Sequence, residues 1–191
     1  GVSEATVLQI KNASITNNIT GGIFQSVGTG GSAPTFIYED VKVSNGTARY
    51  AAQPIRNDNG RILFYGTNEF NIQQDHSMSS VGLLGADNQG EWIQGGKWVE
   101  VVTGTTTLNQ TWGYDQPFYT YNNNSHTMKV ADGAHMVWNL NDTYTMYYDD
   151  GNSGPMVWDI GNDASFDILG TAATASRYSG GWFMWIANNS W

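Results

Sequence analysis

The segment from Ala134 to Asp159, AHMVWNLNDTYTMYYDDGNSGPMVWD, constrains the fold of this chain more than any other part of it. Residues 143–148 alternate small polar with large apolar side chains, and a period of two places alternate side chains on one face of a β-strand. Residues 149–155 then interrupt the alternation with Asp, Gly, Asn, Ser and Pro, which favour turns. The segment therefore predicts two strands, a turn and a third strand.

Short apolar segments separated by turn signals continue along the rest of the chain. Strands are predicted at 36–44, 47–56, 61–65, 97–102, 105–112, 117–121, 127–130 and 165–169. Asn45-Gly46, Gly95-Gly96 and Asp132-Gly133 predict hairpin turns, because these pairs tolerate the positive φ angles of tight turns. Residues 171–176 are rich in Ala and could form one or two helical turns. We therefore predict a single all-β domain over residues 1–191, an antiparallel β-sandwich, with a jelly roll or a barrel as the alternative.

A Met-Val-Trp triplet occurs twice, at 136–138 and at 156–158. A solenoid or a propeller requires at least three copies of a repeat, so the sequence favours two core strands of similar composition. Near the other end of the chain, Val7, Leu8 and Ile10 form an early apolar segment. Residues 1–20 are predicted to be an extended arm or strand that could pair with a neighbouring subunit.

Charge and composition argue against several classes of partner and cofactor. The chain has eight Lys and Arg residues and a net charge of −9 at pH 7, which disfavours binding to nucleic acid or to anionic membranes. No apolar run approaches the roughly 18 residues of a membrane-spanning helix. Cysteine is absent, which excludes disulfides and thiolate metal sites.

The motif for N-glycosylation, Asn-x-Ser/Thr, supports an extracellular location. It occurs at Asn12, Asn18, Asn45, Asn109, Asn123, Asn141 and Asn188. Chance would give about three such motifs in a chain of this composition, although a chain rich in Asn and Thr also generates them by accident. The excess predicts a secreted or cell-surface glycoprotein.

Candidate catalytic and metal-binding residues are scattered. Glu39, Asp40, Glu91 and Glu100 lie on or beside predicted strands and could provide the paired carboxylates of a glycosidase, but no motif surrounds them. The oxygens of Asp149, Asp150 and Asn152 suit calcium, yet their spacing is not that of an EF-hand, and a simple turn is favoured. We predict no catalytic residue, no cofactor and no metal site.

Aromatic side chains could form a platform for glycans. Trp112, Tyr114, Tyr119 and Tyr121 lie in a region rich in Asn and Thr, although aromatic residues on strands are usually part of the core. Three functions follow from the sequence. The favoured one is a non-catalytic extracellular subunit of a filament, matrix or coat that self-associates by β-strand pairing or exchange; the alternatives are a lectin-like module and a secreted glycan-active enzyme.

Overall fold

The computed structural model describes residues 7–16, 24–26, 35–44, 55–57, 61–73, 98–113, 118–120, 126–143, 147–149, 156–172 and 184–186. Every regular element in these ranges is a β-strand. The strands are β1 (Val7–Thr16), β2 (Phe24–Ser26), β3 (Thr35–Ser44), β4 (Ile55–Asn57), β5 (Arg61–Tyr65), β6 (Thr67–Gln73), β7 (Trp98–Val101), β8 (Thr105–Gly113), β9 (Phe118–Thr120), β10 (His126–Val130), β11 (His135–Thr143), β12 (Tyr147–Asp149), β13 (Met156–Ile160), β14 (Ser165–Ala172) and β15 (Met184–Ile186).

Ten of these strands form a single all-parallel sheet that curves into a nearly closed, barrel-like shape. Its order is β13-β10-β7-β5-β3-β6-β8-β11-β14, and β1 pairs with β3. The first half of β3 pairs with β5 and its second half pairs with β6, so the sheet divides into two limbs at β3. The first limb continues through β5, β7, β10 and β13, and the second continues through β6, β8, β11 and β14. Two smaller parallel sheets have the orders β15-β12-β9 and β2-β4.

The predicted antiparallel sandwich is therefore wrong, and so is its jelly-roll alternative. The Asp132-Gly133 pair joins β10 to β11, but these two strands do not pair with each other. Instead β10 pairs with β7 and β13, and β11 pairs with β8 and β14, all in parallel. Gly133, at φ 70°, turns the chain through a corner without reversing it. The predicted turns at 45–46 and 95–96, and residues 173–176 of the Ala-rich segment, lie outside the described residues.

Successive passes of the chain stack on one another, each pass contributing one strand to each limb. Thr127, for example, pairs with Trp98 of the pass before it and with Val157 of the pass after it. This is the arrangement of a solenoid, in which each unit contacts only its neighbours. The two Met-Val-Trp triplets lie on different limbs, in β11 and β13, and are not equivalent positions. The stacked unit is the strand-corner-strand pass, and the triplet does not mark it.

The core lies between the limbs and consists of four columns of inward-facing residues, one residue from each pass. On the first limb the columns are Leu8-Phe36-Ile62-Val99-Met128-Trp158 and Ile10-Tyr38-Phe64-Val101-Val130-Ile160. On the second limb they are Ala13-Val41-Asn68-Thr106-Met136-Phe166 and Ile15-Val43-Phe70-Leu108-Trp138-Ile168. Side chains alternate within each limb, as strand geometry requires. The alternation shifts by one residue at the corner, where Asn12 and Asp40 adopt positive φ angles of 52° and 54°.

The corner between the limbs widens from one end of the sheet to the other. β1 and β3 run through it without a break, and Gly66 alone separates β5 from β6. Residues 102–104, 131–134 and 161–164 fill the next three corners. The core column beside the corner starts with Ala13 and Val41 and ends with Met136 and Phe166, so larger side chains occupy the wider end. Trp138 lies there, with its ring centroid 4.6 Å from that of Phe166.

Two buried polar residues on neighbouring passes of this column provide a matched test of the core. The Asn68 side chain accepts the Val41 N–H at 3.1 Å and donates to the Tyr65 carbonyl at 3.0 Å. The Thr106 hydroxyl, equally buried, has no hydrogen-bond partner among the described residues. We expect Asn68→Ala to lower the free energy of unfolding by about 2–4 kcal/mol, because it leaves main-chain groups without partners.

The control is Thr106→Val, which keeps the shape of the side chain and removes the hydroxyl. We expect it to leave stability unchanged or to raise it by up to about 1 kcal/mol. Urea denaturation of both variants measures the difference. If Asn68→Ala and Thr106→Val lost equal stability, the hydrogen bonds of the Asn68 side chain would not contribute as described.

Candidate assembly edges of the sheet

One exposed edge of the sheet belongs to β1. The predicted assembly residues Val7, Leu8 and Ile10 lie on this strand, which pairs with β3 of its own chain from Val7 opposite Thr35 to Thr16 opposite Ser44. Leu8, Ile10 and Ile15 are half-buried and pack against the core, while the outward-facing residues of the strand are exposed. The opposite edge of β1 pairs with no described strand.

The second exposed edge is formed by β13 and β14, where the core columns end uncovered. Val130 is 0% exposed, but Ile160, the next residue of its column, is 41% exposed. In the same way Trp138 is 0% exposed and Ile168, which follows it, is 40% exposed. Among the described strands, none covers this end of the sheet. Both ends therefore combine apolar side chains with main-chain groups that pair with no described strand.

The charges of the two edges differ. The one charged residue of β1 is Lys11, whose ammonium group forms an ion pair with Glu39 of the adjacent strand. The β13/β14 edge carries Asp159, Asp163 and Asp167. Lys129 lies 4.0 Å from Asp159, at the limit of an ion pair. The second edge is therefore acidic, and the first is close to neutral.

His135, Ser165 and Asp167 lie close together on the outside of the second limb. The Nδ1 atom of His135 is 3.0 Å from the Ser165 hydroxyl, which donates to Asp167 at 2.9 Å. In a hydrolase triad the histidine lies between the serine and the carboxylate, whereas here the serine lies between the other two. The group is exposed and has the wrong order for activating a nucleophile, so we assign it no catalytic role.

A charged and aromatic column lies on the outside of the first limb. The Trp98 indole N–H donates to Glu100 at 2.6 Å, and Lys129 lies 3.7 Å from Glu100. The Arg61 guanidinium stands 4.8 Å from the Trp98 ring centroid, and the Lys129 ammonium stands 5.9 Å from it. These residues come from three different passes, so no local motif could have brought them together. Two cations lie near the Trp98 ring, whereas a platform for glycans requires an open ring face.

The predicted carboxylates are engaged in local contacts. Glu39 pairs with Lys11, and Asp40 accepts the Thr67 N–H at 2.8 Å, which links two passes at the corner. Glu91 lies outside the described residues. Glu69, which sequence analysis did not single out, accepts hydrogen bonds from Asn71 and from Lys42, and these bonds lower its pKa. These hydrogen bonds favour the ionised form of the Glu69 carboxyl, which forms an ion pair with Lys42.

The predicted glycosylation sites are only partly described. Asn12 is exposed at the β1 corner, whereas the half-buried Asn109 donates its amide to Asn71 at 2.8 Å. Asn141 lies on β11, and its side chain is not among those described. The motifs at Asn18, Asn45, Asn123 and Asn188 lie outside the described residues.

The structure describes the predicted glycan platform and the weak calcium candidate only in part. Trp112 and Tyr119 lie on β8 and β9, with undescribed side chains, and Asp149 lies on β12 in the same condition. Tyr114, Tyr121, Asp150 and Asn152 lie outside the described residues. Within the described ranges, no three His, Asp or Glu side chains are grouped as metal ligands.

No helix in the described part of the chain has the length and apolarity needed to cross a membrane. Comparisons of the chain with protein-family models, with curated proteins and with solved structures found no match.

Proposed function

We propose that this chain is a non-catalytic structural module of a filament, matrix or coat, and that it self-associates by pairing the exposed strand edges of its parallel sheet. The observation that supports this most directly is the end of the core at β13 and β14. Columns that are fully buried in the inner passes end there in Ile160 and Ile168, each about two-fifths exposed. Covering such residues with another copy stabilises the contact through burial of apolar surface.

The main-chain groups at both edges that no described strand pairs supply the directional part of the contact. An exposed strand edge is a template for a further strand, and natural proteins usually protect it with charge, Pro or a covering segment. On β1 the side chains at the free edge include Gln9 and Ser14, which are exposed and uncharged. The one charge on the strand, Lys11, is paired with Glu39, so this edge carries little free charge that would keep it unpaired.

The proposed location is extracellular or at the cell surface, and the seven glycosylation motifs support it. The exposed Asn12 offers an accessible amide for a glycan. Glycans away from the strand edges would leave those edges as the contact regions of the module, whereas a glycan on Asn12 would lie on the β1 edge and block it.

Two alternatives come from the sequence. A lectin-like module would use the aromatic residues Trp112, Tyr114, Tyr119 and Tyr121, and glycan-array binding that is lost in Trp112→Ala would favour it. A secreted glycan-active enzyme would require convergent carboxylates, whereas Glu39, Asp40 and Glu100 are engaged with Lys11, the Thr67 N–H and Trp98. The exposed edges favour the structural role over both.

Sedimentation velocity of the whole chain across a wide range of concentration tests the proposal. We expect species larger than the 20.9 kDa monomer, increasing with concentration. Gln9→Lys combined with Ser14→Lys protects the β1 edge, and Ile160→Lys combined with Ile168→Lys protects the β13/β14 edge. Each pair of lysines is expected to weaken association. On β1 the added charge opposes strand pairing. On the β13/β14 edge the lysines replace the two exposed apolar side chains whose burial would stabilise the contact.

The control is Thr107→Lys, which places one lysine on the outside of an inner strand, β8. It should leave association unchanged, while circular dichroism verifies that all variants remain folded. A monomer at every concentration would contradict the proposal, and so would association that neither pair of edge lysines affects.

A further inference from the structure

We infer that β1 pairs in an antiparallel direction with β1 of a second copy, which forms a two-fold symmetric dimer. This inference rests on the proposed function and names the partner of one of its two edges. It follows from the shape of the corner, the side-chain pattern of β1 and the charges of the two ends.

The corner argues against a head-to-tail stack, in which β1 of one copy would lie on β13 and β14 of another. β1 passes through the corner as one continuous strand, whereas residues 161–164 fill the corner between β13 and β14. Within the chain, the number of corner residues changes by at most two between neighbouring passes. The largest change is from one residue, Gly66, to the three residues 102–104. No residues separate the two halves of β1, so β1 could pair with β13 or with β14, but it could not pair with both at once.

A two-fold axis removes this mismatch, because each edge then meets an identical edge. This axis bisects the angle between the limbs. It places the first half of β1 beside the second half of β1 in the other copy, and the two segments run antiparallel. The inside of one sheet continues into the inside of the other. The ten residues of β1 lie opposite one another when Val7 faces Thr16 of the second copy.

The side-chain pattern of β1 fits this register. Leu8 then faces Ile15 of the second copy, and Ile10 faces Ala13, so inward apolar residues meet inward apolar residues. Gln9 faces Ser14 on the outside, where both are exposed. The match requires the extra left-handed residue Asn12 at the corner, because that residue moves the inward positions from even numbers to odd numbers.

The charges select β1 over the acidic edge for this contact. An equivalent two-fold pairing at the other end would bring β13 against β14 and place Asp159 opposite Asp167 of the second copy. Directly opposed like charges destabilise strand pairing. On β1 the sole charged residue, Lys11, faces Asn12 and keeps Glu39 as its counter-charge.

Cysteine cross-linking of the whole chain tests the register, and the absence of natural cysteine leaves no background. Opposed residues of antiparallel strands have Cα atoms about 4.5–5.5 Å apart, within the range of a disulfide. A mixture of Gln9→Cys and Ser14→Cys chains should form a covalent dimer under mild oxidation. Neither variant should do so alone, because two copies of one position lie about 16 Å apart along the strand.

The comparison mixture is Ser14→Cys with Asp167→Cys, since in a head-to-tail stack Ser14 would lie beside Asp167. A glycan on Asn12 would block the edge, so the samples are Asn12→Gly variants, because glycine readily adopts the left-handed conformation of this position. Cross-linking of position 9 to position 14 supports the two-fold dimer. Association without that cross-link, or with a cross-link between positions 14 and 167, overturns the dimer but leaves the proposed function standing. A monomer at every concentration overturns both.

Discussion

Replacing Gly104 by alanine is expected to lower the free energy of unfolding by about 3–5 kcal/mol. Gly104 lies in the corner between β7 and β8 with φ 72°, where an L-residue is strained. An added Cβ would also lie 2.2 Å from the carbonyl oxygen of Gly66, on the pass before it. That oxygen accepts the Thr105 N–H at 2.9 Å, so moving it away breaks a bond between passes. Denaturant unfolding measures the loss.

Gly133 is the matched control for Gly104. It occupies the next corner with φ 70°, but an added Cβ would meet nothing within 4 Å. Gly133→Ala should therefore show the backbone strain alone, roughly 1 kcal/mol. The difference between the two variants isolates the close approach of neighbouring passes. Equal losses would mean that the passes are not stacked at Gly104 as described.

Replacing Trp138 by alanine is the second substitution with a large expected effect. Trp138 is fully buried, and its ring meets those of Phe166 and Trp158 at centroid distances of 4.6 and 6.2 Å. Removing so large a side chain from a packed core costs about 3–5 kcal/mol. We expect a loss in this range, together with loss of the near-ultraviolet circular dichroism signal of the aromatic cluster.

Two variants control for this prediction. Trp138→Phe keeps an aromatic ring in the site and should cost less than alanine. Val137→Ala alters the neighbouring residue of the same strand, whose side chain faces outward and is half-buried, and should cost about 1 kcal/mol or less. If Val137→Ala were as destabilising as Trp138→Ala, the inward and outward faces of β11 would be assigned the wrong way round.

The strands were the part of the fold that could be predicted from the sequence. Segments 36–44, 61–65 and 127–130 coincide closely with β3, β5 and β10, because a period of two in side-chain character reports which residues alternate across a sheet. The direction of pairing could not be predicted in this way. Parallel and antiparallel sheets share that period, and Asp132-Gly133 bends the chain equally well at a corner or in a hairpin.

The same limit applies to the candidate site. The sequence predicted an assembly role for Val7, Leu8 and Ile10 because they are apolar and early in the chain. It did not indicate the acidic edge, because Asp159 and Asp167 become neighbours of an exposed core only when β13 and β14 end the stack. Nor did it indicate the Trp98 column, since Arg61, Trp98 and Lys129 lie on three passes and meet only through strand register.

The sequence by itself determined that this chain forms short strands with alternating faces, that it lacks cysteine and that its net charge at pH 7 is −9. These properties depend only on composition and on the order of neighbouring residues, so the sequence reveals them without knowledge of tertiary contacts. Only the tertiary structure decided that the strands run parallel, that the core is built from columns across passes and that β1, β13 and β14 lie at the edges. These features depend on where the chain returns to itself, and contacts between residues about thirty positions apart carry no local signature.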